Sequence, residues 1–252
     1  MKINPKNILL TGSNGELGKQ IIKSKLFDYL LTPPRQEFDI TQSSSIDKYL
    51  NNNDINYVIH CAAIARFTLC EKNPQEAIMT NIIGTSNLVR SLMKIEDKKR
   101  KKIRFLHIST DGVYNSRKGN FSEKSATIPY NNYGWSKLGA ECAVQLLTNF
   151  VIIRTRFFNP NNILFNDSAT DIYTSSIEIN ELVESIHFLL NSTFIGTINV
   201  GDQRMSDFDR YKKYKPSIKP CKRHEITKRI NCEMARDASM DCNFWLKLKD
   251  KA

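Results

Sequence analysis

A glycine-rich segment near the N-terminus limits the possible folds of this chain more than any other feature. The apolar run at residues 6–11 stops at a G-x-x-G-x-x-G segment, residues 12–18, and apolar residues at helical spacing follow over residues 21–26. This order predicts a strand, a tight turn and a helix. Glycines let a backbone turn sharply and approach a pyrophosphate, and the start of a helix offers free N–H groups with a partial positive charge. The segment therefore predicts a dinucleotide site, with a glycine-rich surface turn as the alternative, because its spacing differs from G-x-G-x-x-G.

Strand and helix signals alternate along the chain from residue 6 to residue 200. This alternation predicts an α/β fold with a doubly wound parallel sheet, whose ligands bind at the carboxyl edge of the strands. The predicted strands cover residues 6–11, 29–31, 56–63, 103–108, 150–154 and 197–200. Two predicted helices cover residues 74–93 and 178–190. Two more begin at Ser43, where hydroxyl side chains would cap the helix, and at Tyr133.

Length and composition exclude several classes of protein. The 252 residues suffice for one large domain, or a domain with a small second lobe. The longest apolar run, residues 61–65, is far shorter than the roughly 20 residues that cross a membrane. Residues 1–5 lead into a strand without a signal-peptide core, so we expect a cytoplasmic protein with no membrane partner. The net charge of +11 suits an acidic ligand, but only residues 98–102 form a dense basic run, so we do not expect nucleic-acid binding.

Tyr133 and Lys137 are candidate catalytic groups. Residues four apart lie on one face of a helix, so the phenol and the ammonium should project side by side. A nearby cation favours the phenolate, so we expect Lys137 to lower the pKa of Tyr133 toward neutrality. Thr110 follows the predicted strand at residues 103–108, where its hydroxyl would bind a substrate carbonyl beside Tyr133. The alternatives are an exposed helix pair for Y-x-x-x-K and a backbone hydrogen bond for Thr110.

The end of the second predicted strand concerns cofactor choice. Residues 32–35 contain no acidic side chain to hold the adenosine ribose, and Arg35 stands close to that position. A guanidinium suits a 2′-phosphate, which favours NADPH, with NADH as the alternative. At the end of the third strand, small residues would let a cofactor lie against the backbone, although His60 and Cys61 are interpreted as core residues. Asn81 and Gly84, inside a predicted helix, indicate close packing or a ligand contact.

These motifs together resemble the extended short-chain dehydrogenase/reductases, and within them the dTDP-4-dehydrorhamnose reductases. The resemblance implies a Rossmann-like dinucleotide-binding core, residues 1–155 with strand 196–200 added, and a reduced C-terminal substrate lobe, residues 156–195 and 201–252. The motifs that carry it occur in order along nearly the whole chain: Thr11-Gly12-x-x-Gly15-x-x-Gly18, Asp39-Ile40-Thr41, His60-Cys61-Ala62-Ala63, Asn81 with Gly84-Thr85, Ser109-Thr110-Asp111-x-Val113-Tyr114 and Tyr133-Gly134-x-Ser136-Lys137-x-Gly139-x-Glu141.

The resemblance implies a reductase of rhamnose-type biosynthesis that is a monomer or homodimer. It would pass a hydride from NAD(P)H to the C4 ketone of a nucleotide-linked 4-keto-6-deoxy sugar of the dTDP- or UDP-4-dehydrorhamnose type. Tyr133 would donate the proton, Lys137 would hold the ribose and tune Tyr133, and Thr110 would orient the ketone. The implied cofactor-binding residues are Gly12, Asn14, Gly15, Glu16, Leu17, Arg35, Asp39, Ile40, Cys61, Ala62, Ala63, Asn81, Tyr133 and Lys137, and the implied substrate-binding residues are Thr110, Asp111, Arg204 and Arg236.

The chain departs from the family's pattern in two places. The segment between Arg154 and Glu178 is short where the family carries an extra helix, which affects substrate contacts and the oligomer interface. Gly112 stands where an aromatic residue is usual, which would widen the pocket.

Three other functions are open at this point. One is a bifunctional 3,5-epimerase/4-reductase, in which Cys61 or Cys70 would act on the sugar carbons. Another is a non-catalytic dinucleotide-binding regulatory subunit of the methionine adenosyltransferase type, against which retention of the catalytic residues argues. The last is a zinc module, but its ligands would have spacings that fit no common zinc pattern, so no metal site is predicted. Those ligands would be Cys221, His224, Cys232 and Cys242.

Overall fold

The computed structural model describes residues 7–250. The predicted leaderless N-terminus, Lys6 of the first predicted strand and the last two residues lie outside this range. The strands are β1 (Ile8–Thr11), β2 (Leu30–Leu31), β3 (Tyr57–His60), β4 (Arg104–Thr110), β5 (Phe150–Thr155), β6 (Phe157–Phe158), β7 (Asp167–Ala169), β8 (Tyr173–Thr174), β9 (Ile177–Glu178), β10 (Gly196–Val200), β11 (Met205–Ser206) and β12 (Lys219–Cys221).

The helices alternate with the longer strands, as the sequence predicts. A π-helical segment (Ile78–Gly84) joins the fourth helix to the fifth, and a short 3-10 turn (Asp111–Val113) follows β4. The α-helices are α1 (Glu16–Ser24), α2 (Ser43–Asn52), α3 (Phe67–Lys72), α4 (Pro74–Ala77), α5 (Thr85–Lys99), α6 (Asn132–Val144), α7 (Ile179–Asn191), α8 (Asp207–Lys212), α9 (Arg223–Ile230) and α10 (Asn243–Lys249).

The central sheet has six parallel strands in the order β10-β5-β4-β3-β1-β2. This confirms the predicted α/β fold with a doubly wound parallel sheet. Because β1 lies between β2 and β3, the chain changes the direction in which it builds the sheet at β1. In open parallel sheets, ligands bind outside the carboxyl ends of the strands at such a switch point. The glycine turn after β1 is therefore in the expected position for a ligand.

Helices cover both faces of the sheet because side chains alternate in direction along each strand. Leu10, Ile59 and Leu106 pack in one core with α1 and α7. Leu9 and Val58, each one residue away, pack in the other core with α2 and α5. Burial on both faces is the physical reason why the central strands are continuous apolar runs.

Two C-terminal helices complete the core on the α1 side. α7 lies in the range 156–195 that the sequence assigns to the substrate lobe, yet Leu182 and Ile186 of α7 are fully buried against the sheet. Trp245 of α10 is only 3% exposed in the same core. The division of the chain into a dinucleotide-binding core and a substrate lobe thus stays a proposal.

Two local details differ from the sequence interpretation. The long helix predicted for residues 74–93 contains the π-helical segment, whose Gly84 packs so closely on Ile40 that an added Cβ would lie 2.9 Å from Ile40 Cδ1. The predicted hydroxyl caps of α2 are wrong: Gln42 is the N-cap, without a capping side chain. Ser45 Oγ instead accepts from the Asp39 N–H at 3.1 Å and donates to the Glu37 carbonyl at 3.0 Å.

The remaining strands form small pairs beyond the sheet, β6 with β9, β7 with β12 and β8 with β11. Parallel bridges join Phe121 to Met240 and Tyr173 of β8 to Asp237, so the C-terminal segment is attached to two earlier parts of the chain. Over residues 7–250, no helix combines the length and apolar character needed to cross a membrane.

Candidate active site

The turn after β1 is built for close approach of backbone. Gly12 has a φ of +72°, and a Cβ there would lie 2.6 Å from the Ala62 nitrogen. A Cβ on Gly18 would lie 2.3 Å from the Gly12 carbonyl oxygen. Both positions therefore require glycine. Gly15 is the N-cap of α1 and supplies no capping side chain, so the first turn of α1 presents its N–H groups to an anion.

The residues at the end of β3 lie directly against this turn. The Ala62 N–H donates to Thr11 Oγ1 at 3.2 Å, and Cys61, Ala62 and Ala63 are partly exposed. A dinucleotide lying over the switch point would pass along these small side chains. Their position fits the cofactor-binding role that the resemblance implies.

Four other implied cofactor residues differ in what they can offer. Asn14 and Glu16 are exposed at the turn, and Glu16 Oε1 accepts a hydrogen bond from Asn159 Nδ2 at 3.2 Å. Leu17 is 5% exposed and Ile40 6% exposed, and both side chains are packed in the cores. Only the backbone of Leu17 and Ile40 is then left to contact a ligand.

Arg35 is held by an acidic neighbour that the sequence analysis placed in the same site. Arg35 Nε donates to Asp39 Oδ2 at 3.0 Å, while the Arg35 side chain remains 77% exposed. Burial acts to raise the pKa of Asp39, but hydrogen bonds from Thr41 and the charge of Arg35 outweigh it and lower the pKa. The guanidinium is therefore accessible to a phosphate but already shares its charge with a carboxylate.

Thr110 and Tyr133 meet at the carboxyl edge of the sheet. Thr110 is the last residue of β4, and Tyr133 lies in the first turn of α6, which Asn131 caps by accepting from the Gly134 N–H at 2.8 Å. A Cβ on Gly134 would lie 2.2 Å from the Gly112 carbonyl oxygen, so glycine lets the start of α6 press against the end of β4. The Thr110 side chain is therefore close enough to the Tyr133 phenol to act on its pKa.

The electrostatics of Tyr133 differ from the sequence prediction. Burial raises the pKa of Tyr133 to about 12, the hydrogen bond with Thr110 and the charge of Arg156 act to lower it, and Asp111 and Cys70 act to raise it. The expectation that Lys137 lowers the pKa of Tyr133 toward neutrality is therefore wrong. The physical reason is that desolvation of the phenol outweighs the cations, and that the Lys137 ammonium hydrogen-bonds elsewhere.

Lys137 points down toward the sheet. Its side chain is 3% exposed, and Nζ lies 3.2 Å from His107 Nε2 on β4. Burial lowers the pKa of Lys137 to about 8, against the charges of Glu141 and Cys61, which act to raise it. The ammonium is thus close to its own titration at physiological pH.

Arg156 is a site residue that sequence reasoning missed. Its Nε donates to Asp111 Oδ2 at 2.6 Å, and Asp111 Oδ1 accepts from Thr110 Oγ1 at 3.1 Å. Burial raises the pKa of Tyr130, and the neighbouring Arg156 acts to lower it. Hydrogen bonds thus run from Arg156 through Asp111 to Thr110, which lies beside Tyr133. The sequence did contain one indication of this role: Arg156 follows the carboxyl end of the strand predicted at residues 150–154, and ligands bind at that edge of a parallel sheet.

A buried ion pair fixes α6 against the sheet. Arg154 Nη2 lies 2.7 Å from Glu141 Oε2, and Ser109 Oγ donates to Glu141 Oε1 at 2.5 Å. Arg154 also donates to the Tyr114 hydroxyl at 2.9 Å. Burial acts to lower the pKa of Arg154, but the hydrogen bonds and charge of Glu141 outweigh it and raise the pKa. Every charge in this network has a partner, which is the condition for stable burial.

The Asn81 side chain joins three segments of the chain by hydrogen bonds. Its Oδ1 accepts from the Ile64 N–H at 2.8 Å, and its Nδ2 donates to the Ile64 carbonyl at 3.1 Å and to Ser136 Oγ at 2.8 Å. The amide therefore joins the π-helical segment to the loop after β3 and to α6. Its implied part in cofactor binding would be exerted through these elements, because its side chain is 1% exposed.

The implied substrate-binding arginines lie in the C-terminal segments. Arg204 Nη2 lies 2.8 Å from Asp237 Oδ2, and the guanidinium stacks 3.9 Å from the centre of the Tyr173 ring. The Arg236 side chain is exposed, and its backbone is hydrogen-bonded to Ser116 and Tyr173. Roles for these arginines in substrate binding stay proposals.

The two cysteines that the epimerase alternative invokes differ in exposure, with Cys61 half-buried and Cys70 buried. Burial raises the pKa of Cys61 to about 12 and that of Cys70 to about 11. All six cysteines are free thiols. Among residues 7–250, no group of three or more His, Cys, Asp or Glu side chains is placed to hold a metal ion.

Comparison with known proteins places the chain in a family. The model of the RmlD substrate binding domain matches residues 6–162, which is more than half of the chain. The chain belongs to the RmlD substrate-binding family. The match spans the glycine turn, Thr110, Tyr133 and Lys137, so the candidate site lies within the part of the chain that defines membership of the RmlD family.

Three curated relatives match parts of this RmlD-family chain. A GDP-6-deoxy-D-talose 4-dehydrogenase from Aggregatibacter actinomycetemcomitans is 30% identical over 135 residues, 52% of this chain and 44% of the relative. A dTDP-4-keto-6-deoxy-D-glucose reductase from Streptomyces niveus is 25% identical over 183 residues, 71% of this chain and 59% of the relative. Methionine adenosyltransferase 2 subunit beta from Xenopus tropicalis is 26% identical over 145 residues, 54% of this chain and 42% of the relative. The chain thus spans about half the length of the curated relatives it matches.

Solved structures share the fold over almost the whole chain. A dTDP-4-dehydrorhamnose reductase from Clostridium acetobutylicum superposes with a TM-score of 0.85 at 23% identity, covering 97% of this chain and 92% of that one. A dTDP-4-dehydrorhamnose reductase from Bacillus anthracis in complex with NADP superposes with a TM-score of 0.84 at 23% identity and the same coverage. The RmlD-family chain therefore shares the Rossmann-like α/β fold of these two structures.

Proposed function

We propose that this protein is an NAD(P)H-dependent oxidoreductase that reduces the C4 ketone of a nucleotide-linked 4-keto-6-deoxy sugar of the dTDP- or UDP-4-dehydrorhamnose type. One observation carries the proposal: the Thr110 side chain lies beside the Tyr133 phenol at the carboxyl edge of the sheet, and the buried Lys137 ammonium lies one helical turn after Tyr133. The names of the Streptomyces niveus and Clostridium acetobutylicum proteins support the substrate class.

The residues around the switch point fit a dinucleotide. The uncapped first turn of α1 and the close backbone approach at Gly12 would receive the pyrophosphate, as a side chain at Gly12 would collide with Ala62. The small residues after β3 would lie along the cofactor. Arg35 would contact a 2′-phosphate, which favours NADPH, with NADH as the alternative; the NADP bound to the Bacillus anthracis protein supports this choice.

Each catalytic side chain has a role that its environment supports. Bound NAD(P)H would supply the hydride. Tyr133 would give its phenolic proton to the ketone oxygen, and its pKa of about 12 keeps that proton in place at neutral pH until the oxygen becomes basic. Thr110 would orient the ketone oxygen through its hydroxyl. Lys137 would hold the ribose through its ammonium group, since it is charged below its pKa of about 8.

The epimerase alternative and the regulatory-subunit alternative each predict behaviour that differs from that of a simple reductase. A 3,5-epimerase/4-reductase needs a base at the sugar carbons, but the raised pKa values of Cys61 and Cys70 keep both thiols protonated. Replacement of Cys61 or Cys70 by Ser should therefore leave ketone reduction within about tenfold of wild type. Loss of activity in a folded variant, together with proton exchange at C3 or C5, would favour the epimerase instead.

A regulatory subunit would bind dinucleotide without consuming it. The similarity to methionine adenosyltransferase 2 subunit beta supports this second candidate function. Thermal shift with dTDP-, UDP- and GDP-sugars in the presence of NADPH would identify the nucleotide, and the oxidation of NADPH by the matching 4-keto sugar would test turnover. Dinucleotide binding without turnover of any of these sugars would support the regulatory function.

Tyr133→Phe is the decisive variant for the proposed reaction. It should bind NADPH as wild type does but lose about two to four orders of magnitude in turnover, because the proton donor is absent. Lys137→Ala should lose both turnover and cofactor affinity. Turnover of Tyr133→Phe near the wild-type rate would contradict the proposal.

A further inference from the structure

A row of polar side chains crosses the sheet beneath the candidate active site. Thr11 on β1, His60 on β3 and His107 on β4 are in register, and they point to the same face. All three are buried, with His60 1% and His107 0% exposed. The two imidazole rings stack with their centres 5.4 Å apart. A polar row inside an apolar core requires an explanation, because each unpartnered polar group there costs free energy.

The two histidines are bonded in different ways. His60 is fully partnered, with Nδ1 2.7 Å from Thr11 Oγ1 and Nε2 2.9 Å from Thr85 Oγ1. His107 Nε2 lies 3.2 Å from Lys137 Nζ, whereas its Nδ1 has no hydrogen-bond partner among residues 7–250. His60 is thus satisfied by structural hydroxyls, and the one polar contact of His107 is with the candidate catalytic lysine.

The partner of His107 defines its protonation. An ammonium group only donates hydrogen bonds, so Nε2 of His107 must accept and its single proton must lie on Nδ1. Burial and the charge of Lys137 lower the pKa of His107 well below its usual value, which keeps the ring neutral. His107 therefore offers Lys137 an acceptor that carries no charge.

We propose that His107 is a positioning residue, whose Nε2 holds the Lys137 ammonium at the floor of the active site and leaves its other N–H groups for the cofactor ribose. This inference rests on the proposed function. A carboxylate in place of His107 would neutralise Lys137 and raise its pKa strongly, whereas an apolar residue would leave Nζ without an anchor. A neutral imidazole fixes the position of Nζ and preserves its positive charge.

The same contact bears on the titration of Lys137. The groups that face Nζ are His107 on β4, His60 at the end of β3, Cys61 directly after β3, and Glu141 on α6. Within residues 7–250, only His107 makes a hydrogen bond to Nζ. Removal of this acceptor should lower the pKa of Lys137 further, because the charged form loses the bond that favours it. The alkaline limb of the activity profile should then move to lower pH.

Two-bond ¹H–¹⁵N correlation of the histidine rings tests the contact without any substrate. The chain has four histidines, so the signals can be assigned by single substitutions. The wild-type protein should show His107 as the neutral Nδ1–H tautomer from pH 6 to pH 7, where Lys137 is charged, and Lys137→Met should change the His107 Nε2 shift. A protonated ring, an Nε2–H tautomer, or a His107 signal indifferent to Lys137→Met would overturn the proposal.

Kinetics test what the contact does. His107→Leu should lower kcat about tenfold to a hundredfold and shift the alkaline limb down by about one pH unit, with the sugar KM unchanged. His107→Gln places an amide oxygen close to the Nε2 position and should stay within about threefold of wild type. His60→Leu is the matched control, since His60 is equally buried in the same row but does not bond Lys137.

The outcomes separate this proposal from the proposed function. Equal losses in His107→Leu and His60→Leu, or no rescue by His107→Gln, would mean that His107 only fills the core. If His107→Leu does not fold, the wild-type ring signals and the His107→Gln profile still decide the question. If wild type turns over no 4-keto sugar, the reductase proposal fails, whereas the ring tautomer and its dependence on Lys137 still report on the contact.

Discussion

Arg156 Nε lies 2.6 Å from Asp111 Oδ2, and this ion pair borders the phenol of Tyr133. The Asp111 side chain is 2% exposed, while the Arg156 side chain remains 29% exposed. Arg156 rather than Lys137 is the cation that acts to lower the pKa of Tyr133. Arg156 therefore has two effects: it neutralises the buried Asp111 carboxylate, and it acts to lower the pKa of Tyr133, the proposed proton donor.

Breaking this pair should destabilise the protein more than removing it entirely. Arg156→Leu leaves the buried Asp111 carboxylate without its guanidinium and should lower the free energy of unfolding by about 1–3 kcal/mol. The double variant Asp111→Asn/Arg156→Leu should recover part of that loss, because no buried charge is left unpaired. Urea denaturation of the two single variants and the double variant measures the coupling. Additive losses would show that the pair does not couple energetically.

The contact between Arg35 and Asp39 sets the expected cofactor preference. A charge-assisted contact from Arg35 to a 2′-phosphate should contribute about 1.5–3 kcal/mol, or roughly a ten- to hundredfold preference for NADPH. Since Asp39 shares the guanidinium charge, the wild-type ratio of kcat/KM for NADPH and NADH should lie toward the lower end of this range. Arg35→Ala should bring the ratio close to one, and Asp39→Asn should raise it. A ratio unchanged by both substitutions would remove Arg35 from the cofactor site.

The buried histidines predict acid sensitivity. Burial lowers the pKa of His60 to about 3, against about 6.5 for an unfolded histidine, so the unfolded state binds more protons between these values. The contribution to stability is present above pH 6.5 and is lost as the pH falls toward 3, at up to about 1.4 kcal/mol per pH unit for each such histidine. Urea denaturation between pH 7 and pH 5 measures this slope. His60→Gln should flatten the slope, and His224→Gln, which changes an exposed ring, should leave it unchanged.

Burial of Lys137 should cost stability at neutral pH. Its pKa is lowered to about 8 from 10.5, so the unfolded state binds more protons between pH 8 and pH 10.5, and stability rises with pH across that window. Below pH 8 the protein bears the full cost of burying the charge. Lys137→Met should therefore raise the free energy of unfolding at pH 7 by about 1–3 kcal/mol. The stabilising free energy of the hydrogen bond to His107, which this variant loses, reduces that gain. The gain should shrink above pH 8. A variant less stable than wild type at pH 7 would show that the bond to His107 outweighs desolvation.

Local sequence patterns predicted the architecture well. The apolar runs around Ile8 and Val151 and the helical spacing after Gly18 correspond to strands and helices of the sheet, because backbone period and burial pattern are properties of neighbouring residues. The glycine turn was predictable for the same reason, as φ above zero and close backbone approach leave few residue choices. The spacing of Tyr133 and Lys137 correctly placed both on one helix.

Contacts between distant segments were decided only by the tertiary structure. Lys137 hydrogen-bonds His107, 30 residues earlier, and Asp111 pairs with Arg156, 45 residues later, and neither pairing has a local sequence signature. The pKa of Tyr133 could not be predicted from its lysine neighbour, because it depends on how completely the surrounding elements exclude water. Periodicity specifies which face of each element is apolar, whereas only the packed chain determines which polar groups meet, how far they are desolvated and which charge faces which.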